Sequence, residues 1–181
     1  LAAVLGSQAR QIMALARGID QRPVTTKRAA KSVSNETTFS RDLSDFTDLE
    51  AALEHLCSKL AKRLKASRLT GATVTLKLKR SDHRIITRSY SLDTPTDKAH
   101  ILFDVGRWLL SPETKKQIPY RLLGIGVSYL DHVTTQTLFD HNGGFDDKRN
   151  RLEAAMDQLQ SKLGNRIIQS GRQFSRYQSA N

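Results

Sequence analysis

Two neighbouring segments in the middle of the chain constrain its fold more than any other feature. From Ala72 to Lys79, Val or Leu alternates with Thr or Lys after the first residue. Because successive side chains of a strand point to opposite faces, this segment is predicted to be a strand with one apolar and one polar face. A polar turn around residues 80–83 leads into Ile85–Leu92, which predicts an antiparallel hairpin.

An amphipathic helix is predicted before this hairpin, from about Asp45 to Arg68. Leu or Phe recurs there every three or four residues, and the acidic residues precede the basic ones, as the helix dipole favours. Thr47 with Glu50 fits a capping box, Ser44 is the alternative N-cap, and Gly71 is predicted to end the following turn.

Further elements complete the pattern around the hairpin. A hydroxyl-rich strand is predicted at Ser32–Phe39 and an apolar strand at Tyr120–Leu130. Between them, a second helix spans about Asp97 to Leu110, with Trp108 on its buried face and a stop at Ser111-Pro112. The order strand, helix, strand, strand, helix, strand predicts an α+β fold of the split βαβ type, a four-stranded antiparallel sheet with two helices on one face.

The chain is strongly basic, with 29 Lys and Arg against 18 Asp and Glu and a net charge of +11. Nucleic acid is therefore the expected partner, and the alternative is a basic surface that only aids solubility. Cys57 is the one cysteine, which excludes a disulfide framework and suits a reducing cytoplasm. No run of about eighteen apolar residues predicts a membrane span.

The polar sheet face is the candidate binding surface. Between Ala72 and Ser91 there are basic residues (Lys77, Lys79, Arg80, Arg84 and Arg88) and one acid, Asp82. Short hydroxyl side chains let a sheet lie flat on a groove while Lys and Arg reach phosphates, although an ordinary solvated face is the alternative. An RNA-recognition module, which would need exposed aromatic side chains on its central strands, is not indicated.

A basic connection joins an N-terminal helix, predicted to end at Gly18, to the first strand. Residues 16–41 read ARGIDQRPVTTKRAAKSVSNETTFSR. This segment resembles the tether between thumb and little finger in Y-family translesion DNA polymerases of the DNA polymerase IV type, where GIDxRPV precedes KSxxxExTF. Ile86–Leu92 and Tyr120–Ser128 are similar to two strands of the same family's little finger.

This resemblance implies a division of the chain into parts: residues 1–22 end the thumb, 23–30 form the tether, 31–133 form the little finger, and 134–181 carry a clamp-motif-like segment and a helical tail. Because Leu1 already lies in a helical pattern, we expect a C-terminal piece of a longer, bacterial, cytoplasmic polymerase, monomeric and not attached to a membrane. The alternative is a free-standing, non-enzymatic adaptor that binds DNA or the sliding clamp.

The predicted DNA contacts come from the resemblance and from the residue pattern. The resemblance implies contacts by Lys31, Ser32, Ser34, Thr87, Ser89 and Arg121, and leaves a contact at Asn35 open. The pattern adds Lys77, Lys79, Arg84 and Arg88. Together they would hold primer-template DNA through its phosphates, without sequence preference.

Residues suited to polymerase chemistry are not found in this sequence. Phosphoryl transfer needs carboxylates that hold metal ions, and no acidic pair lies between apolar strand residues. We therefore expect no catalytic residue, metal or cofactor in this chain, and magnesium in the catalytic palm of the parent polymerase, which the resemblance places before the tether.

Residues 135–140, TQTLFD, resemble the peptide by which such polymerases dock on the bacterial sliding clamp, commonly of the form QLSLF. Gln136 would enter a polar pocket, and Leu138 and Phe139 an apolar one, although Gln136 stands one residue too close to them. The alternative is an anchor that packs the tail on the domain. A tail helix is predicted at about Asp147–Leu163.

Overall fold

The fold is built on one sheet, seen in a computed structural model that describes residues 4, 6–24, 29–114, 118–132, 145–164, 168 and 171. Its helices are α1 (Ala9–Ala16), α2 (Phe46–Ser67), α3 (Ala99–Thr114) and α4 (Phe145–Leu163), and its strands are β1 (Ser32–Leu43), β2 (Leu69–Arg80), β3 (Ile85–Thr96) and β4 (Tyr120–His132). The predicted α+β class and the order of the elements are confirmed.

The four strands lie in the order β1-β4-β2-β3, and every neighbouring pair is antiparallel. β1 and β2 are therefore parallel to each other with β4 between them, and β3 and β4 are parallel with β2 between them. Each helical crossover thus connects two strands that are separated by a third, which is the predicted split βαβ arrangement.

Buried apolar side chains from α2, α3 and one sheet face form the core. The sheet contributes Val74, Leu76, Leu78, Leu123, Ile125 and Val127, and the helices contribute Leu49, Leu53, Leu56, Leu60, Leu64, Leu102, Leu109 and Leu110. Each fully buried Leu, Ile or Val contributes about 1.5–3 kcal/mol. The alternation predicted for β2 is therefore real, and it leaves the opposite sheet face outside the core.

Helix α2 begins one residue after Asp45, which is its N-cap. The Asp45 carboxylate accepts hydrogen bonds from the backbone N–H groups of Thr47 (2.7 Å) and Asp48 (3.2 Å). The predictions of Ser44 or Thr47 as N-cap are wrong, because Asp45 already has the extended backbone that a cap requires.

The turn after α2 is shorter than predicted. Arg68 ends the helix with a left-handed φ of 52°, and β2 begins at the next residue. Gly71 therefore lies inside β2, where a Cβ atom would stand 2.7 Å from the Cβ of Val127. This glycine permits close side-chain packing within the sheet and does not form the turn.

Helix α3 differs from its prediction at Pro112, which does not end it, and at Trp108, which is not buried. It continues through Pro112 to Thr114, because tertiary contacts hold its last turn: Arg88 pairs with the buried Glu113 carboxylate, and the Tyr120 hydroxyl donates to the Glu113 carbonyl. Trp108, predicted to be buried, is 63% exposed and meets Tyr90 edge to face at 5.4 Å.

Helix α1 ends as predicted, and an ion pair stabilises the residues that follow it. Gly18 has a φ of 74°, and its N–H donates to the Leu15 carbonyl. Beyond it, the Arg22 guanidinium donates to both carboxylate oxygens of Asp20, from Nε to Oδ1 at 2.9 Å and from Nη2 to Oδ2 at 2.7 Å. These hydrogen bonds lower the pKa of Asp20 to about 2.

Helix α4 lies against α2 and α3, and Glu153 is one of the residues that hold it there. Its carboxylate accepts hydrogen bonds from the N–H of Ala99 (2.9 Å) and from Nζ of Lys65 (2.5 Å), and its second oxygen contacts Nδ1 of His100 at 2.8 Å. Burial raises the pKa of Glu153, but the hydrogen bonds from His100, Lys65 and Ala99 outweigh it and bring the pKa to about 2. In the described part of the chain, no helix is long and apolar enough to cross a membrane.

Candidate nucleic-acid interface

The sheet face turned away from α2 and α3, called the open face here, gathers most of the predicted contact residues. Cross-strand pairing places side chains of all four strands on it. They are Ser32, Ser34, Glu36 and Thr38 of β1, Leu122, Gly124, Gly126 and Ser128 of β4, Thr73, Thr75, Lys77 and Lys79 of β2, and Ile85, Thr87, Ser89 and Ser91 of β3. Hydroxyl groups therefore dominate this face, and none of these residues is aromatic.

Two glycines of β4 leave the middle of the open face without side chains. A Cβ at Gly126 would stand 2.8 Å from the Cβ of Ser34 and 3.2 Å from the Val33 carbonyl, and one at Gly124 would stand 3.0 Å from the Cβ of Glu36. The distance at Gly126 is too short for a side chain and that at Gly124 is tight, so glycine at these two positions lets β1 pack closely against β4. The result is a low strip, the glycine floor (Gly124 and Gly126), between two rows of short polar side chains.

Hydroxyl pairs order the β2 and β3 half of this face. The Thr73 and Ser91 hydroxyls lie 2.9 Å apart, and the Thr75 hydroxyl donates to that of Ser89 at 3.3 Å. Each hydroxyl retains further capacity to donate or accept, because a hydroxyl has one proton and two lone pairs. This half of the open face can therefore offer several fixed hydroxyls to an anionic partner.

Cations occupy both ends of the open face. Lys31 is exposed just before β1, and Lys79 lies on β2 beside the β2–β3 turn, which carries the exposed Arg84. Arg121 is an extra residue in the ladder: Lys79 pairs with Leu122 and Arg80 with Tyr120, so Arg121 has no partner on β2 and its side chain is exposed.

Arg88 is the predicted contact residue that the structure separates from the others. It pairs with Leu76 in the register and therefore lies on the helix side of β3. There its Nη2 is 2.8 Å from Oε1 of Glu113, a side chain with only 2% exposure. A buried carboxylate requires such a partner, so the arginine has a structural role on this side of the sheet.

Sequence reasoning missed two polar residues that shape the interface. Glu36 lies on the open face, where its Oε2 is 2.8 Å from Nζ of Lys77. On the other side, Arg63 of α2 donates to the Ser34 carbonyl (2.6 Å) and to Oδ1 of Asn35 (2.7 Å), which ties the edge strand β1 to the helix layer. The alternation of β1 places Glu36 on the same face as Ser34, but the pairing of Glu36 with Lys77 depends on the strand order.

Other predicted sites lie outside this surface. Gln136, Leu138 and Phe139 fall outside the described residues, as do residues 25–28 of the predicted tether. Within the described ranges, no group of three or more His, Cys, Asp and Glu side chains has an arrangement that could hold a metal ion. Burial raises the pKa of the Cys57 thiol, which lies in the core.

Comparison with known proteins gives a consistent assignment. The impB/mucB/samB family C-terminal domain matches residues 30–138. DNA polymerase IV of Brucella melitensis is 39% identical over 174 residues, and that of Caulobacter vibrioides is 39% identical over 176 residues. These alignments cover 94% and 95% of this chain but only 38% and 42% of those proteins, so the chain spans about two fifths of their length.

One solved structure supports the fold, and a second overlaps with it in part. A Y-family DNA polymerase chimera aligns with 71% of this chain and 36% of its own, with a TM-score of 0.55 and 15% identity. A complex of a beta-clamp processivity factor with the little finger domain of PolIV aligns with 57% of this chain and 92% of its own, with a TM-score of 0.47 and 26% identity. The domain match over residues 30–138 and the alignments with DNA polymerase IV show that the chain belongs to the impB/mucB/samB family of C-terminal domains, and the predicted resemblance to the C-terminal part of DNA polymerase IV is confirmed.

Proposed function

We propose that this chain is the DNA-holding C-terminal part of a translesion DNA polymerase of the bacterial cytoplasm, and that its open face lies against the backbone of primer-template DNA. The observation that carries this proposal is the open face itself, a hydroxyl-rich sheet surface with a glycine floor and cations at both ends. The names of the bacterial relatives, DNA polymerase IV, support it.

The dimensions of the open face fit a nucleic-acid backbone. Six residue steps from Ser32 to Thr38, at about 3.3 Å each, give a length of about 20 Å. Phosphates of one DNA strand are about 3.4 Å apart along the helix axis, so this length covers about six of them. Contacts of hydroxyls and cations with phosphates carry no sequence information, as a protein that must follow any template requires.

The polymerase activity itself belongs, in this proposal, to the part of the parent protein outside this chain. The relatives are about two and a half times as long as the aligned segment. Their additional length leaves room for a catalytic palm, where carboxylates would hold magnesium ions near the incoming nucleotide.

The test is binding of a fluorescent primer-template duplex, followed by anisotropy at several salt concentrations. With about five phosphate contacts, the slope of log K against log salt should lie between about −3 and −5. Lys79→Ala, on the open face, should weaken binding about threefold to tenfold for every sequence, because one phosphate contact is lost. Lys59→Ala removes the same charge from the exposed helix side and should change the affinity less than twofold.

Two results would contradict the proposal. Equal effects of Lys79→Ala and Lys59→Ala would mean that net charge, and not the open face, determines binding. A salt-independent affinity, or a strong preference for one duplex sequence, would mean that phosphate contacts do not dominate.

We further propose that Gln136, Leu138 and Phe139 dock on the bacterial sliding clamp, a proposal that rests on the sequence motif. Two apolar anchors in a preformed pocket can supply most of the energy of a small interface. Calorimetry with purified clamp should give a Kd of about micromolar order, because Gln136 stands one residue too close to the anchors. The double substitution Leu138→Ala with Phe139→Ala should abolish binding.

The control for this experiment is thermal stability. Thr137→Ala, between the polar and apolar anchors, should leave both binding and Tm nearly unchanged. If the double substitution lowers Tm while clamp binding persists, or if the unsubstituted chain does not bind the clamp, the segment is a packing anchor and the docking proposal is wrong.

A further inference from the structure

A carboxylate lies in the middle of the open face, where an anionic partner would be expected to contact the protein. Among the open-face residues Glu36 is the one acid, and its Oε2 is 2.8 Å from Nζ of Lys77. Lys77 is the more central of the two open-face lysines, two residues further from the β2–β3 turn than Lys79. The lysine best placed for a phosphate is therefore already paired with an anion of the protein.

The ion pair depends on the glycine floor. In the register of the sheet, Gly124 pairs with Glu36 on one side and with Lys77 on the other. Glu36 and Lys77 are therefore separated by a whole strand, about 9.5 Å at two strand spacings, and their side chains meet above a residue that has none. A side chain at position 124 would stand between the two charged groups.

We propose that Glu36 is a built-in competitor for phosphate: it occupies Lys77 in the free protein and is displaced when a DNA phosphate arrives. This inference rests on the proposed function and concerns the regulation of the same face. A carboxylate and a phosphate oxygen are both anionic acceptors for a lysine ammonium, so one can replace the other without a change in the lysine's position. Displacement leaves Glu36 near the phosphate, and the remaining repulsion weakens the complex.

The exposure of the pair makes this exchange feasible. The Lys77 side chain is 38% exposed and that of Glu36 is 52% exposed. Exposed ion pairs are weak and are screened by salt, so a phosphate can displace the carboxylate. Glu36 therefore lowers the affinity for DNA without preventing binding, and the domain releases DNA more readily than its cations alone would allow.

The test is the affinity of Glu36→Gln for a primer-template duplex at low salt, measured by anisotropy. We expect binding about threefold to fivefold tighter than that of the unsubstituted protein, and a salt slope steeper by up to about one unit, because Lys77 is then free to neutralise a phosphate. The matched control is Asp147→Asn, which breaks an exposed 2.8 Å ion pair with Arg151 on α4 and removes the same charge. It should change the affinity less than 1.5-fold.

A double-substitution cycle with Lys77→Ala tests the mechanism. In the unsubstituted protein Lys77→Ala should weaken binding less than twofold, because the lysine is already neutralised. In the Glu36→Gln protein the same substitution should weaken it about fivefold. Equal effects of Lys77→Ala in both backgrounds would overturn the proposal.

The outcome also separates this inference from the proposed function. If Lys79→Ala weakens binding while Glu36→Gln does not tighten it, the open face binds DNA and only the competitor role is wrong. If neither substitution changes the affinity, the open face is not the DNA-binding surface and both proposals fail.

Discussion

At the scale of single residues, the glycine floor makes the sharpest prediction about stability. Gly126→Ala should destabilise the domain by about 2–3 kcal/mol, because the added Cβ would stand 2.8 Å from the Cβ of Ser34 and 3.2 Å from the Val33 carbonyl. Neither atom is the end of a flexible side chain, so β1 itself would have to move. Chemical denaturation should show the loss as a lower midpoint.

The control is Ser128→Ala, two residues further along the same strand on the same face. Its side chain is only half-buried, so the free energy of unfolding should change by less than about 0.5 kcal/mol. A Gly126→Ala protein as stable as the unsubstituted one would mean that β1 is not held against β4 as closely as the structure has it.

The residue scale also shows how far sequence patterns predict an interface. Alternation alone places Lys77, Lys79, Thr87 and Ser89 on one face, and their positions in the structure agree. The charge of Arg88 makes it a candidate contact, although the same alternation puts it in phase with Ile86 and Tyr90. Periodicity therefore predicts the sheet face of a residue better than charge does. The partner of Arg88, Glu113, lies on α3, and periodicity cannot reveal such a contact.

At the scale of elements, Glu153 helps to hold α4 against α2 and α3, so this docking should weaken as the pH falls into the acid range. The pKa of Glu153 is lowered to about 2 in the folded protein from an ordinary 4.5. Its contribution to stability is therefore fully present above about pH 5, and is lost as the pH falls from 4.5 towards 2 and the carboxylate becomes protonated. The hydrogen-exchange protection factors of α4 amides, corrected for the intrinsic rate at each pH, should fall over this range before those of β4.

Glu153→Gln should produce the same effect at neutral pH. The amide keeps the size of the side chain but loses its charge, so exchange of α4 should already be fast at pH 7. Asp157→Asn is the matched control: Asp157 also pairs with Lys65, at 2.6 Å, whereas the N–H of Ala99 at the start of α3 donates to Glu153, so the control should have a smaller effect. If α4 exchanges at the same rate in all three proteins, Glu153 does not hold it.

Helix ends were the elements that the sequence predicted least well. Pro112 was expected to stop α3, because proline cannot donate its backbone N–H and restricts the preceding residue. The helix nevertheless continues to Thr114, where Arg88 and Tyr120 hold Glu113. Arg88 lies on β3 and Tyr120 on β4, so rules based on the neighbouring sequence could not include their contribution to the end of the helix.

At the scale of the whole molecule, the strand order predicts unequal protection of the sheet. Among the described residues, β4 lies between β1 and β2, whereas β3 is an edge strand with one neighbour. Amides of Leu123–Val127 should therefore exchange most slowly, and alternate amides of β3, which face no neighbouring strand, should exchange much faster. Equal protection of β3 and β4 would indicate that the β3 edge is covered in solution, for example by a second copy.

The class of fold could be predicted from the sequence, but the strand order could not. Helix and strand periodicities were sufficient for the succession of elements and for the two faces of β2. Beyond the hairpin of β2 and β3, they contain no information on which strands become neighbours, and the Glu36–Lys77 pair spans β4, which lies between β1 and β2. Long-range pairing therefore created the part of the interface that local patterns did not predict.

The glycine floor has a consequence for motion along DNA, given the proposed function. A bulky side chain in the centre of the face would fit between particular phosphates of the DNA backbone and would resist movement of the duplex to the next register. The strip has no side chains of its own, and the Glu36–Lys77 pair above Gly124 is exposed and exchangeable, so the interaction energy changes little between registers and the barrier between them is low. A duplex could then advance by one nucleotide at a time while the peripheral cations exchange phosphates in turn, and the surface would guide the DNA without fixing its position.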